Sequence, residues 1–206
     1  MPERLNVPPT KNSLLYLRRQ MGFLEQGHDL LERKKELLTR LVHERLGQYR
    51  RLRRDTSECL NEAYRWLGVT HMRMGTRQLR QVSMGLEPTL KVDIVPRTHV
   101  GVEYPSVRME RLPLKPLGLM GTDASLDETR RHMADAAVLL ARLGEAETAL
   151  WRLLVEQRKT QKRVNALKYN IIPRYRETIR YIDSVLEEEE RNTLFQIKVL
   201  RGRGGN

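Results

Sequence analysis

Residues 14–66 read LLYLRRQMGFLEQGHDLLERKKELLTRLVHERLGQYRRLRRDTSECLNEAYRW, a run without a single proline. Steps alternating between three and four pass through Leu14, Leu17, Met21, Leu24, His28, Leu31, Lys35, Leu38, Val42, Arg45, Tyr49, Leu52, Thr56, Cys59, Ala63 and Trp66. Twelve of these sixteen residues are apolar, and the exceptions His28, Lys35, Arg45 and Thr56 are spread out. A mean spacing of 3.5 residues holds one seam toward a partner helix. At about 1.5 Å per residue this arm reaches roughly 85 Å, longer than a compact domain of this size needs. Thr10 and Asn12 offer N-caps just after Pro8-Pro9.

Outward from that arm, proline divides the chain. Pro88, Pro96, Pro105, Pro113 and Pro116 crowd the middle, and beyond them only Pro173 interrupts. Helix interiors exclude proline, so two long arms flank a punctuated centre. The second arm opens on Ser125-Leu-Asp-Glu128, which matches a capping box. Its stripe passes through Leu126, Met133, Ala136, Leu140, Leu143, Leu150, Leu154, Val164, Ile171, Tyr175, Ile182 and Val185, with Glu147, Gln157, Gln161 and Lys168 interrupting. Arms of similar length around one insert are expected to fold back antiparallel, each burying the other's stripe. In the centre, Lys91–Val95 alternates as a strand, and Val100–Tyr104 is its expected partner across a turn at Pro96–His99. The expected fold is all-α: a long antiparallel two-helix coiled coil with a short β-hairpin and loop insert at one end. Its parts are an N-terminal arm at 1–85, an insert at 86–121, a C-terminal helix at 122–200 and a disordered tail at 201–206.

Composition narrows the function. Charged residues make up 31% and aromatic residues 5% of 206, which suits a thin core with much exposed surface. The net charge of +12 favours a partner of negative potential. Cys59 is the one cysteine, which rules out an intrachain disulfide and a Cys-based zinc site. Met1-Pro-Glu-Arg4 lacks the apolar run of a secretory signal, so a reducing, cytosolic setting is expected. No Gly-Lys pair exists, so no Walker-type phosphate loop does either. The five histidines are too dispersed for a metal set, and no serine sits in a nucleophile elbow. The expectation is a non-catalytic protein with no cofactor and no metal.

Several pointed features have plainer readings. Glu187–Glu190 reads as a solvated helix face. His28 reads as a satisfied seam residue beside Gly27, and Gln157 and Gln161 read as register-setting polar positions. The cluster Arg50, Arg51, Arg53 and Arg54 fits a protein partner at least as well as phosphates.

Two blocks carry a resemblance. The first is Pro9-Thr-Lys11 with Leu14 and Leu17, then Gly27-His-Asp-Leu-Leu31 and Lys34-Lys-Glu-Leu37. The second is Lys162-Arg-Val-Asn-Ala-Leu167, then Ile171-Ile-Pro173, Thr178-Ile179, Tyr181-Ile182 and Glu188-Glu-Glu-Arg191, with Phe195 and Lys198 beyond. Together they resemble the D subunit of V-type and archaeal-type (A-type) ATP synthases, with Lys168 standing where a glutamate is usual.

The resemblance implies a central rotor stalk in a complex on the cytoplasmic face of the membrane. It implies that both termini enter the hexamer of catalytic A and B subunits. It also implies that the F subunit clasps the flank, and that the hairpin end sits on the C subunit (called d in eukaryotes). Lys11, Arg18, Arg19, Arg174, Arg176, Arg180, Arg191 and Lys198 are then the expected hexamer contacts. Gly27, His28, Arg163, Asn165 and Pro173 are expected in shaft packing and its bend, with Gly27-His28 opposite Pro173. Two readings compete. One is a basic coiled-coil protein that binds nucleic acid or serves as an adaptor, which lacks interleaved aromatics. The other is an F-type gamma subunit, whose sizeable α/β domain does not fit in an insert of 36 residues.

Overall fold

The long arms form because the first is free of proline, the second holds only Pro173, and caps stand at their starts. The computed structural model describes residues 4–116, 118 and 121–203. Its elements run in the order α1 (Lys11–Met74), α2 (Thr76–Ser83), β1 (Leu90–His99), β2 (Val102–Arg111), α3 (Ala124–Ala166), a π-helical turn (Leu167–Ile171) and α4 (Ile172–Arg203). α1 alone has 64 residues. Thr10 caps it, its Oγ1 accepting from Ser13 N at 3.2 Å. α3 is capped by Asp123 rather than by the expected Ser125. Asp123 Oδ2 accepts from Ser125 N at 3.1 Å and from the Ser125 hydroxyl. Those two hydrogen bonds come first, ahead of Arg73, in holding the Asp123 carboxyl below the usual carboxylate range.

The chain divides into two units, one of Met1–Leu37 with Gln157–Asn206 and one of Leu38–Glu156. In the first unit, Leu14, Leu17 and Ile182 are buried, with Leu5, Tyr175, Ile179 and Leu186 packed around them. The segment ahead of α1 joins this core, as Leu5 N donates to Thr178 Oγ1 at 3.1 Å and Arg4 stacks 4.5 Å above the Tyr181 ring. In the second unit, Thr70 Oγ1 meets the Ser125 carbonyl at 2.9 Å and Thr129 Oγ1 at 2.7 Å. Nearby, Trp66 stacks on His132 with ring centroids 5.9 Å apart.

Every one of the sixteen α1 seam positions from Leu14 to Trp66 is buried or half-buried, polar exceptions included. On the C-terminal side the expected stripe is partly displaced. Leu140 is exposed, while Leu153 and the threonines 129, 160 and 178 are almost fully enclosed. A threonine fits such a seam when its hydroxyl bonds back to its own helix. Thr129 does this to Ser125 O at 2.9 Å and Thr178 to Arg174 O at 2.8 Å.

The hairpin departs from the expected one in length, turn and placement. Its strands are ten residues each, with Leu90 opposite Arg111 and His99 opposite Val102. The turn is Val100-Gly101, not Pro96–His99, and both residues have positive φ, 51° and 72°. This is the primed geometry that matches strand twist. Pro96 faces Pro105 across the ladder. Counted from the closing pair His99–Val102, that position is one where neither N–H points at the partner strand, so no ladder bond is lost. Val100 holds a left-handed conformation that a β-branched residue normally avoids. It packs with Val42 against the buried trio Leu38, Val102 and Leu153, which offsets a strain of about 1–2 kcal/mol. The hairpin is therefore folded back, its tip seated at Leu38, well before α1 ends at Met74. Arg152 donating to Glu103 O at 2.8 Å and Arg45 lying 5.9 Å from the Tyr104 ring hold it further. α4 is helical through Arg203, and the rest of the tail expected to be disordered, 204–206, lies outside the described residues.

Because Leu38 is fully enclosed between the hairpin tip and α3, Leu38→Ala is expected to cost about 2–5 kcal/mol in urea unfolding. Amide exchange in β1 and β2 should quicken more than in α1's first turns. A loss under about 1 kcal/mol, or no change in the hairpin's exchange, would show that the tip is not held there.

Candidate functional site

In the first unit, three ion pairs link α1 to α4. Lys11 Nζ reaches Glu190 at 2.7 Å, Arg18 grips both carboxylate oxygens of Asp183 at 2.8 Å, and Arg176 reaches Glu25 at 3.4 Å. Each step is seven residues up α1 and seven down α4, so the pairs form a ladder with antiparallel sense and heptad period. The side chains are about half exposed or more, except Asp183 at 33%. Exposed pairs contribute little stability, and what they fix is register. Continued for three more residues, the same spacing would set His28 beside Pro173.

The expected hexamer contacts separate accordingly. Lys11, Arg18 and Arg176 are tied to carboxylates of this chain. Arg19, Arg180, Arg191 and Lys198 are exposed and, among the described residues, make no ion pair, while Arg174 is half-buried. The residues expected at the bend separate too. Arg163 and Asn165 are exposed, Asn165 accepting from Gln161 Nε2 at 2.8 Å, and Val164 between them is 2% exposed. The Arg-Val-Asn-Ala block packs through its valine, since successive helical residues point about 100° apart. A Cβ at Gly27 would meet nothing within 4 Å, so close packing does not require that glycine.

Pro173 sits just beyond the π-helical turn, where Ile172 N bonds to Leu167 O. Proline removes one α-helical bond, and the wider turn absorbs the register change. On α1, the His28 ring is 13% exposed, with Nδ1 3.3 Å from Asp29 and Nε2 3.7 Å from Glu32. Nε2 is buried without a hydrogen bond among the described residues. The Lys35 ammonium, at 3.1 Å, is the main reason the Glu32 carboxyl lies below its ordinary range; His28 and Lys168 add to it. The charge of Lys168 thus acts on a carboxylate of α1.

A feature without a counterpart in the sequence motifs stands on the solvent-facing side. Tyr16, Phe23, Leu30 and Leu37 are 61%, 68%, 66% and 50% exposed. They lie seven residues apart, forming a second apolar row on α1 outside the buried seam. On α4, Leu194, Phe195, Ile197 and Leu200 are also more than half exposed. Apolar surface in such rows marks a site for another chain. Among the described residues no group of three or more His, Cys, Asp or Glu is placed to hold a metal ion, and no helix is long and apolar enough to cross a membrane. A groove of about 590 Å³ between the hairpin and α3 carries Arg111, Arg142 and Glu145 as its charged lining.

The surface is that of a polypeptide made to be covered by other chains. The family model for the D subunit of ATP synthase matches residues 13–202. The chain is 34% identical to the V-type ATP synthase D subunit of Thermotoga neapolitana over 198 residues, 96% of this chain and 98% of that one. It is 32% identical to the A-type ATP synthase D subunit of Pyrococcus furiosus over 205 residues, 98% and 96% of the two chains. The Desulfurococcus counterpart is 31% identical over the whole of both. The chain belongs to the ATP synthase D-subunit family, whose members are components of the V- and A-type ATP synthases.

The outermost ion pair has a defined pH window. Its hydrogen bond and charge hold the Glu190 carboxyl below, and the Lys11 ammonium above, their ordinary values. The Glu190 contribution is present above the unfolded carboxylate pKa and lost as pH falls through the folded one. The Lys11 contribution is present below the unfolded lysine pKa and lost as pH rises through the folded one. Amide exchange at 11–18 and 183–190 should therefore reflect constant protection near neutrality, with loss at both extremes once intrinsic exchange is corrected. Protection that keeps changing across neutral pH would contradict the pairing.

Proposed function

We propose that this chain is the central-stalk rotor shaft of its ATP synthase, coupling nucleotide turnover in the catalytic A/B hexamer to ion movement through the membrane ring. The observation that carries the reading is the double surface of α1: a buried seam on one side and, in the first unit, an exposed apolar heptad row on the other. The seam and the antiparallel ion-pair ladder support a two-helix coiled coil, which resists twisting better than one helix. The outer row and the exposed cations Arg19, Arg180, Arg191 and Lys198 supply the surface that the hexamer grips. Because this surface is asymmetric, each of three equivalent catalytic interfaces meets a different face of it. Only contact energy that differs between nucleotide states can shift the shaft angle. In this reading the chain catalyses nothing itself, the F subunit and the C subunit (called d in eukaryotes) bind the remaining surface, and the chain is peripheral to the membrane on its cytoplasmic face.

Affinity purification of the tagged chain from its own membranes should recover the nucleotide-binding hexamer; recovery of no ATPase component would defeat the proposal. Phe23→Glu with Leu30→Glu, both exposed, should leave the helix content unchanged and lower recovery of the hexamer by about tenfold or more. Equal recovery would remove the outer row from the interface. Pro173→Ala should preserve assembly while changing the ion-coupled rate of ATP turnover. An unchanged coupled rate would sink the idea that the π-helical turn takes part in torque transfer.

A further inference from the structure

In the first unit, Thr160 and Ile182 are both closed off from solvent, at 1% and 0% exposure. From 160 to 182 is one residue more than three heptads. The same interval separates two further inward pairs on this arm, Gln157 from Ile179 and Val164 from Leu186. Tyr181, which lies three whole heptads beyond Thr160, is instead 41% exposed. One residue is about 100° around a helix. The inward face of the returning arm therefore changes phase by that amount between Val164 and Tyr175, which already packs on the later phase.

The π-helical turn at Leu167–Ile171 lies in that interval and takes up the extra residue, because a hydrogen bond closing over five residues instead of four encloses one residue more. Ile171 stands one heptad after Val164, and Ile172 one heptad before Ile179. Both isoleucines are half-buried, one for each phase.

The turn is pinned on both sides. Moved toward the N-terminus, it would swing Gln161, Asn165 and Lys168 inward, since they stand whole heptads before Ile182, Ile179 and Tyr175. Asn165 and Lys168 are exposed instead, so these polar interruptions of the stripe lie on the phase that the arm does not use there. Moved toward the C-terminus, the turn would leave Pro173 inside regular α-helix, where the ring clashes with the carbonyl four residues back. The turn is also weakly braced. Pro173 supplies no N–H, and Lys168, Tyr169 and Asn170 are exposed. On α1, Gly27 comes two residues after the rung from Glu25 to Arg176, and glycine is a poor helix former.

We infer that the π-helical turn is a one-residue skip kept in the returning arm as its torsionally soft joint, the place where the arm twists under load before either flanking helix does. The skip follows from the seam of the first unit alone. The joint's role rests on the rotor reading and says where in this unit the rotor yields. Helices yield where their hydrogen-bond ladder is interrupted, and this interruption falls between the packed residues Val164 and Ile182.

Deleting Asn170 together with Pro173→Ala removes the extra residue and the proline at once. It leaves one α-helix with a single inward phase and Ile172 in the place of Ile171. The full-length variant should melt at or above the wild-type temperature. Deleting the exposed Gln26 from α1, which holds no such turn, should lower the melting temperature. Melting of the first variant below the wild type, or of the second no lower than it, overturns the skip. In the assembled enzyme, immobilised through its hexamer with a light-scattering probe on this chain, the Asn170-deleted P173A shaft should pause with an angular variance about twofold smaller than the wild type. Pro173→Ala alone keeps the extra residue and should not narrow it. An unchanged variance in the deletion variant, or an equal narrowing in P173A alone, overturns the soft joint and leaves the rotor reading standing. A wild-type chain that does not rotate with ATP overturns the rotor reading and the joint's role with it, and the melting comparison still decides the skip.

Discussion

Apolar side chains placed every three to four residues along the 64 residues of α1 have to leave water along the whole length of the helix. An isolated helix has nothing to offer them, because its stability in a protein comes from packing one face. The rest of the structure answers that demand. In the first unit α4 and the segment around Leu5 cover the seam at Leu14 and Leu17. In the second, α3 covers it at Thr70 and Leu38, and the hairpin tip closes over Leu38 through Val102. Even the strained turn at Val100 depends on that cluster, since its burial there is what sustains an unfavourable backbone.

Covering one face leaves the other free for partners. The ion-pair ladder through Lys11, Arg18 and Glu25 fixes which residues of α4 lie beside which of α1. With register fixed, Tyr16, Phe23, Leu30 and Leu37 stay in a single outward row. Burying one such side chain fully is worth about 1.5–3 kcal/mol, so a row of four offers a partner far more than the exposed charges do. Membership of the ATP synthase D-subunit family makes the chain a subunit of a larger complex.

Much of this was legible in the residues, and the gaps have physical causes. The α1 seam could be read because apolar spacing is a long-range signal that sixteen positions repeat. The seam on α3 and α4 was only half legible, because Thr129, Thr160 and Thr178 count as polar by type yet are buried, and the hydroxyls of Thr129 and Thr178 bond to backbone. The turn at Val100-Gly101 lacks the Asn-Gly signature of a primed turn. Its identity depends on a tertiary contact with Leu38 that no local pattern encodes. On sequence Pro96 falls in the turn and Pro105 beyond the second strand, yet both lie within strands, harmless because they face each other at a position that needs no donor. The outer row at Tyr16 to Leu37 was present in the spacing but hidden beside the stronger seam. Arg163 and Asn165 drew attention through the motif, and it is the valine between them that packs.

The central claim is that this chain turns relative to the catalytic hexamer, and observation of rotation tests it most directly. With the assembled enzyme immobilised through its hexamer and a light-scattering probe fixed to this chain, ATP should drive continuous rotation in one direction. The rotation should pause at three angles, one for each catalytic interface. A probe that stays fixed relative to the hexamer while ATP is being hydrolysed would contradict the account.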